Sequence, residues 1–177
     1  MRCLFTLEGW HQELKQEADA VKRVEIARRI EAYCDEGNGS CVLRDPRAAR
    51  LVQEVLFEYH GVCCELHSWV VMPNHVHVLL TPLGLVLEKV VHRIKGASAL
   101  QVNRLLGQKG RLWQPGYFDR LIRNSNHFDG TKRYIELNPV KAKLCTDPAL
   151  WAWSSCNADA RARLDFLLGE REKKKQP

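Results

Sequence analysis

Apolar and polar positions along this chain change period several times, and each change marks the edge of an element. From Trp10 to Cys34 a stretch rich in Glu, Lys, Arg, Ala and Gln carries Val24, Ala27, Ile30 and Cys34 at helical spacing and stops at Gly37-Asn38-Gly39, which predicts one or two helices and a turn. Asp45-Pro46 supplies an N-cap acceptor and a proline at the first helical position, and Leu51, Val52, Val55, Leu56 and Tyr59 then form an apolar stripe up to Gly61. A hairpin follows, Cys63 to Val71 and His75 to Leu80, turned by Met72-Pro73-Asn74 and closed by Thr81-Pro82-Leu83-Gly84. Leu87, Val90, Val91, Ile94 and Ala97 predict a helix from Val86 to Leu106, ended by Gly107. Tyr117 to Arg123 reads as a short strand, and a last helix runs from Asn126 to Asn138, where Pro139 is expected to stop it.

That order of elements predicts an α+β fold, an antiparallel sheet with helices packed on one face. With 177 residues, no internal repeat and no linker composition, the chain is expected to form one domain over residues 1–158, followed by a basic tail over 159–177 that is either helical or disordered.

Within the hairpin, His75 and His77 alternate with Val76, Val78 and Leu80, so both imidazoles project from one face while the aliphatic residues turn to the other. Imidazoles about 7 Å apart at the backbone can converge on one divalent cation if a third ligand joins them, although two polar residues on a solvated strand face would give the same pattern. Tyr134 and Asn138, four residues apart on the last helix, share a helical face. A tyrosine hydroxyl can form a covalent phosphoester, and an amide oxygen would complete a mixed nitrogen and oxygen set that suits Mg²⁺ or Mn²⁺ better than a closed zinc site. The alternative is a packed ring and a helix-capping asparagine. Tyr33, Tyr59 and Tyr117 lack such a neighbour.

Charge and cysteine content narrow the classes. A formal net charge of +6 and a pI near 9.0 favour a polyanionic partner, though part of the excess sits in Arg171 and Lys173 to Lys175. Seven cysteines without a CxxC pair argue against a disulfide scaffold or a zinc ribbon, and no apolar stretch is long enough to span a bilayer, so a cytoplasmic protein without a membrane partner is expected. The sequence has neither a Walker-type phosphate loop nor the acidic cluster of a two-metal nuclease.

Three segments in order, Trp69-Val70-Val71-Met72-Pro73-Asn74-His75-Val76-His77-Val78-Leu79, Trp113-Gln114 with Phe118-Asp119-Arg120-Leu121-Ile122-Arg123, and Arg133-Tyr134-Ile135-Glu136-Leu137-Asn138-Pro139-Val140-Lys141-Ala142, resemble the REP-associated tyrosine transposases of the HUH single-tyrosine superfamily. The resemblance spans Asp45 to Ser155 and implies a ferredoxin-like, RRM-like HUH fold. It implies His75, His77 and Asn138 as ligands of Mg²⁺ or Mn²⁺ and Tyr134 as nucleophile. The implied activity is nicking and rejoining of single-stranded DNA at repetitive palindromic hairpins through a 5′-phosphotyrosine, by a monomer or homodimer. Around such a site Lys95, Arg120, Arg123 and Lys141 are candidates for phosphate contacts and Trp113 for base stacking or packing.

The chain departs from the family in three places. The first strand of relatives is expected to be missing, with Met1 to Leu7 a remnant or replacement; Gly130 lies inside the last helix; and Lys143 stands where relatives commonly carry glycine. A hairpin-DNA-binding protein that no longer cuts is therefore the competing reading. A histidine-triad hydrolase fails, because the next alternating position is Leu79.

Overall fold

The computed structural model describes residues 16–175, among which five α-helices surround a two-stranded antiparallel sheet. Helix α1 (Ala20–Asp35) starts at Asp19, whose carboxylate accepts from the Val21 and Lys22 amides. Helix α2 (Pro46–Tyr59) begins as its sequence predicts, with Asp45 accepting from the Arg47 amide and Pro46 in the first turn, and it buries Ala48, Ala49, Val52, Val55, Leu56 and Phe57. Strands β1 (Cys64–Val71) and β2 (Val76–Pro82) pair in the register Val71↔Val76, Val70↔His77, Trp69↔Val78, Ser68↔Leu79 and Leu66↔Leu80. His67 is the extra residue of a bulge, which returns Leu66 and Trp69 to the same face despite their odd spacing.

The two faces of this hairpin carry different helices. Leu66, Trp69, Val71, Val76 and Val78 pack toward α2 and toward α3 (Leu87–Leu106), which ends at Gly107 in the left-handed conformation. Ser68, Val70, Met72, His75, His77 and Leu79 face the other way, where α4 (Ser125–Lys141) lies with Ile135 buried against Val70, Met72 and Leu79. The α+β class and the antiparallel sheet are as expected; helices pack on both faces rather than one, α4 covering the histidine face. The second edge of β1 is taken by the chain after α4: the Val71 amide donates to the Trp153 carbonyl at 2.8 Å, the Ser155 amide to the Trp69 carbonyl at 2.9 Å, and the Trp151 indole to the Val71 carbonyl at 3.0 Å. Helix α5 (Ala158–Lys175) occupies the stretch read as a tail, with Ala160 and Leu164 buried against Leu56, Phe57 and Trp69.

Two expectations are corrected. Tyr117 to Arg123 forms no strand: only Ile122 packs on the core, so the segment has no buried face to fix a register, and it runs exposed, with Phe118 46% and Leu121 80% accessible. Nor does Pro139 end its helix. Pro139 and Asn138 are fully buried inside α4, which continues to Lys141 although proline offers no N–H to the Ile135 carbonyl, so tertiary packing overrides the local preference. The expectation about Met1 to Leu7 lies outside the described residues.

Helix α4 closes in a Schellman arrangement, the Leu144 amide donating to the Pro139 carbonyl and the Lys143 amide to the Val140 carbonyl. This puts Lys143 at φ +57°, the one non-glycine residue at positive φ among those described. Relief of left-handed strain, less the entropy glycine loses on folding, predicts that Lys143→Gly gains roughly 0.5–1 kcal/mol. Open space around Gly130 predicts a gain of about 1 kcal/mol for Gly130→Ala. In thermal unfolding Gly130→Ala should melt about 2–4 °C and Lys143→Gly about 1–4 °C higher than the parent; a lower melting temperature in either would contradict the corresponding backbone assignment.

Candidate active site

Strand alternation and the hairpin turn bring His75 and His77 together with their rings edge to face, 4.7 Å between centroids, and their Nε2 atoms 3.0 Å apart. Two ligands at right angles with bonds of about 2.1 Å lie about 3.0 Å apart, so this spacing fits neighbouring positions of an octahedral hard cation. Asn138 joins them from α4. Its Nδ2 lies 3.3 Å from His77 Nε2, while its Oδ1 is buried and has no hydrogen-bond partner. A half-turn of the carboxamide exchanges the two ends and sets that orphaned oxygen against the imidazole nitrogens. Among the described residues no group of three His, Cys, Asp or Glu side chains could hold a metal ion; the groups that converge here are two imidazole nitrogens and one carboxamide.

Desolvation holds both imidazoles neutral. It pushes His75 down to about 4, and His77 down to about 3 with help from His75 and from the ammonium of Lys141. Neutral imidazole is the form that offers a lone pair to a cation.

Tyr134 stands one helical turn before Asn138 and meets His77 directly, its ring 5.9 Å from that of His77 and nearly perpendicular to it. The ammonium of Lys141 lies 4.0 Å from the centre of the Tyr134 ring. These groups are held in place by the burial of Ile135 and by Ser155. The Ser155 hydroxyl donates to Glu136 of α4 at 3.1 Å and lies 2.9 Å from the Ser68 hydroxyl of β1, so one side chain ties helix to strand. Tyr117 has a different environment: it is exposed, and its phenol is raised by slight desolvation and by the carboxylates of Asp119 and Glu88.

The structure thus brings together His75, His77, Tyr134, Asn138 and Lys141. The remaining sequence candidates lie elsewhere. Lys95 donates to the carbonyls of Gln114 and Gly116, at 2.5 and 2.6 Å, and Trp113 packs on the Leu43, Ala48 and Val52 cluster with its indole donating to Ser98. Arg120 and Arg123 line a cleft of about 890 Å³ between α1 and the 117–123 segment, together with Arg28, Phe118 and Leu121. Sequence reasoning passed over Asn74, whose Oδ1 lies 2.7 Å from His75 Nδ1. Its adjacency to His75 was the only available signal.

Comparison with known proteins gives one family and one relative. The family described as "Transposase IS200 like" matches residues 43–138. The chain is 30% identical over 118 residues to the REP-associated tyrosine transposase of Escherichia coli (strain K12), an overlap of 60% of this chain and 69% of that one. No solved structure matches it.

The lowered histidine values set an acid limit on stability. Below about pH 6.5 the unfolded imidazoles take up protons while the folded ones, at about 4 and 3, do not, so falling pH favours the unfolded state through that window. Urea unfolding of the metal-free protein should show stability dropping between pH 6.5 and 4, less steeply when His75→Gln and His77→Gln are combined. An equal slope in that double variant would contradict the burial of the pair.

Proposed function

The chain belongs to the IS200-like transposase family, and from that membership we propose that it nicks and rejoins single-stranded DNA at palindromic hairpins, with Tyr134 as nucleophile and His75, His77 and Asn138 as ligands of Mg²⁺ or Mn²⁺. The observation that carries the reading is the convergence of two neutral imidazoles, a buried amide with an orphaned oxygen, and a tyrosine within ring contact. No described helix is long and apolar enough to cross a membrane.

In this reading the Tyr134 hydroxyl oxygen attacks the scissile phosphorus and the bond to the 3′ oxygen breaks. The phenolic proton ends on the departing 3′-hydroxyl, and the 5′ side remains as a phosphotyrosine ester. Attack by a 3′-hydroxyl on that ester reverses the step and rejoins a strand without an external energy source. When bound, the cation supplies Lewis-acid polarisation of the phosphate. The chain's own groups orient the reactants: the edge-to-face contact with His77 sets the Tyr134 ring, and Lys141 offsets negative charge beside it.

Arg120, Arg123 and Lys141 are proposed to meet phosphates. Lys95 and Trp113 act within the same reading by holding the loop that precedes the 117–123 segment.

A single-stranded oligonucleotide carrying a palindromic hairpin taken from the DNA beside the gene should give a denaturation-resistant adduct that disappears in Tyr134→Phe and persists in Tyr117→Phe. A rate loss of at least 10³-fold is expected for Tyr134→Phe on removal of a covalent nucleophile, an order-of-magnitude expectation from catalytic-group deletions. Adduct retained in Tyr134→Phe would remove the assignment, and hairpin binding without any adduct in the parent would favour the non-cutting reading. Calorimetry with Mn²⁺ should show binding to the parent and none to the His75→Ala, His77→Ala double variant; unchanged affinity there would sink the ligand set.

A further inference from the structure

Asn74 lies in the hairpin turn beside His75, and its hydrogen bonds leave it no freedom of orientation. Nδ2 lies 2.8 Å from the Cys34 carbonyl and 2.8 Å from the Asn38 carbonyl, both in the turn that ends α1. Two acceptors at that distance require the nitrogen end of the amide, because an oxygen there would face two carbonyl oxygens. The other end is therefore Oδ1, and it lies 2.7 Å from Nδ1 of His75. A carboxamide oxygen can only accept. Nδ1 of a neutral His75 must then carry the ring proton, which leaves the lone pair on Nε2, the atom that converges on His77.

We propose that Asn74 is a positioning residue that locks His75 in the Nδ1–H tautomer and so presents the Nε2 lone pair to the ligand site before a cation arrives. The use of that lone pair rests on the reading of His75 as a metal ligand; the tautomer lock itself does not. The anchor is the C-terminal turn of α1, so a segment remote in sequence from both histidines and the tyrosine takes part in orienting the site. The hairpin turn is braced from a second side as well, since the Leu43 amide donates to the Pro73 carbonyl at 3.0 Å. Imidazoles that ligate metals characteristically donate their second N–H to an outer acceptor, and loss of that acceptor commonly costs 10–100-fold in affinity.

The test uses the full chain, first free of metal. Nitrogen-15 correlation spectra of the histidine side chains at neutral pH should give His75 the Nδ1–H signature in the parent. Asn74→Asp keeps the acceptor but loses both amide donors, so it should retain that signature while melting at a lower temperature. Asn74→Ala loses acceptor and donors, so His75 should shift to the Nε2–H form or to a mixture. Mn²⁺ affinity measured by calorimetry should fall 10–100-fold in Asn74→Ala and stay within about threefold of the parent in Asn74→Asp. An anchor that served only to hold the fold would instead weaken binding more in Asn74→Asp than its retained acceptor allows. The proposal is overturned by an Nε2–H signature for His75 in the parent, a measurement that needs no variant to fold, or by parental Mn²⁺ affinity in Asn74→Ala. A parent that shows the Nδ1–H signature yet binds no Mn²⁺ would uphold the lock and overturn the ligand reading.

Discussion

Helix α4 meets the hairpin through Ile135, which closes over Val70, Met72 and Leu79, all almost wholly removed from solvent. Burial of each such side chain contributes roughly 1.5–3 kcal/mol, whereas a hydrogen bond such as that from Ser155 to Glu136 contributes about 1 kcal/mol net. The apolar contact therefore holds the helix down, and the polar contact sets where along the strand it sits. Everything in the candidate site depends on this seating, because Tyr134 and Asn138 reach His77 only from a helix laid across that face. A shift by one residue would turn both away.

Strand β1 is the member that the surrounding elements share. It pairs with β2 on one edge and with Trp153 to Ser155 on the other, so its backbone is satisfied on both sides. Its largest side chain, Trp69, is fully buried with its indole donating to Gln53 at 3.0 Å, its ring edge to face with Phe57, and the Arg161 guanidinium over it. A tryptophan can be buried to this degree because its one polar atom has a partner. This strand in turn carries Val70, directly opposite His77 in the register, to the face that α4 covers.

Electrostatics and packing act in the same direction around the histidines. Desolvation keeps the imidazoles neutral, and the Lys141 ammonium nearby disfavours a further positive charge while offering one to an anion. The cost is borne by the fold, since neutral buried histidines weaken stability in acid.

The elements with a strong local signal were legible in the amino-acid order. Asp45-Pro46 and the stripe after it determine α2, alternation determines which hairpin residues share a face, and the spacing of Tyr134 and Asn138 puts them on one side of a helix. These follow from backbone periods of 3.6 and 2 and from capping chemistry, which act over a few residues. Tertiary structure decided what depends on distant partners. Tyr117 to Arg123 has strand-like residues but no strand, because the fold gives only Ile122 an apolar surface to pack on and leaves Phe118 and Leu121 in solvent. Pro139 continues a helix that local rules would end, because its burial outweighs one missing hydrogen bond. The role of Asn74 depends on carbonyls about forty residues earlier in the chain, and no local pattern encodes a contact between segments that only folding brings together.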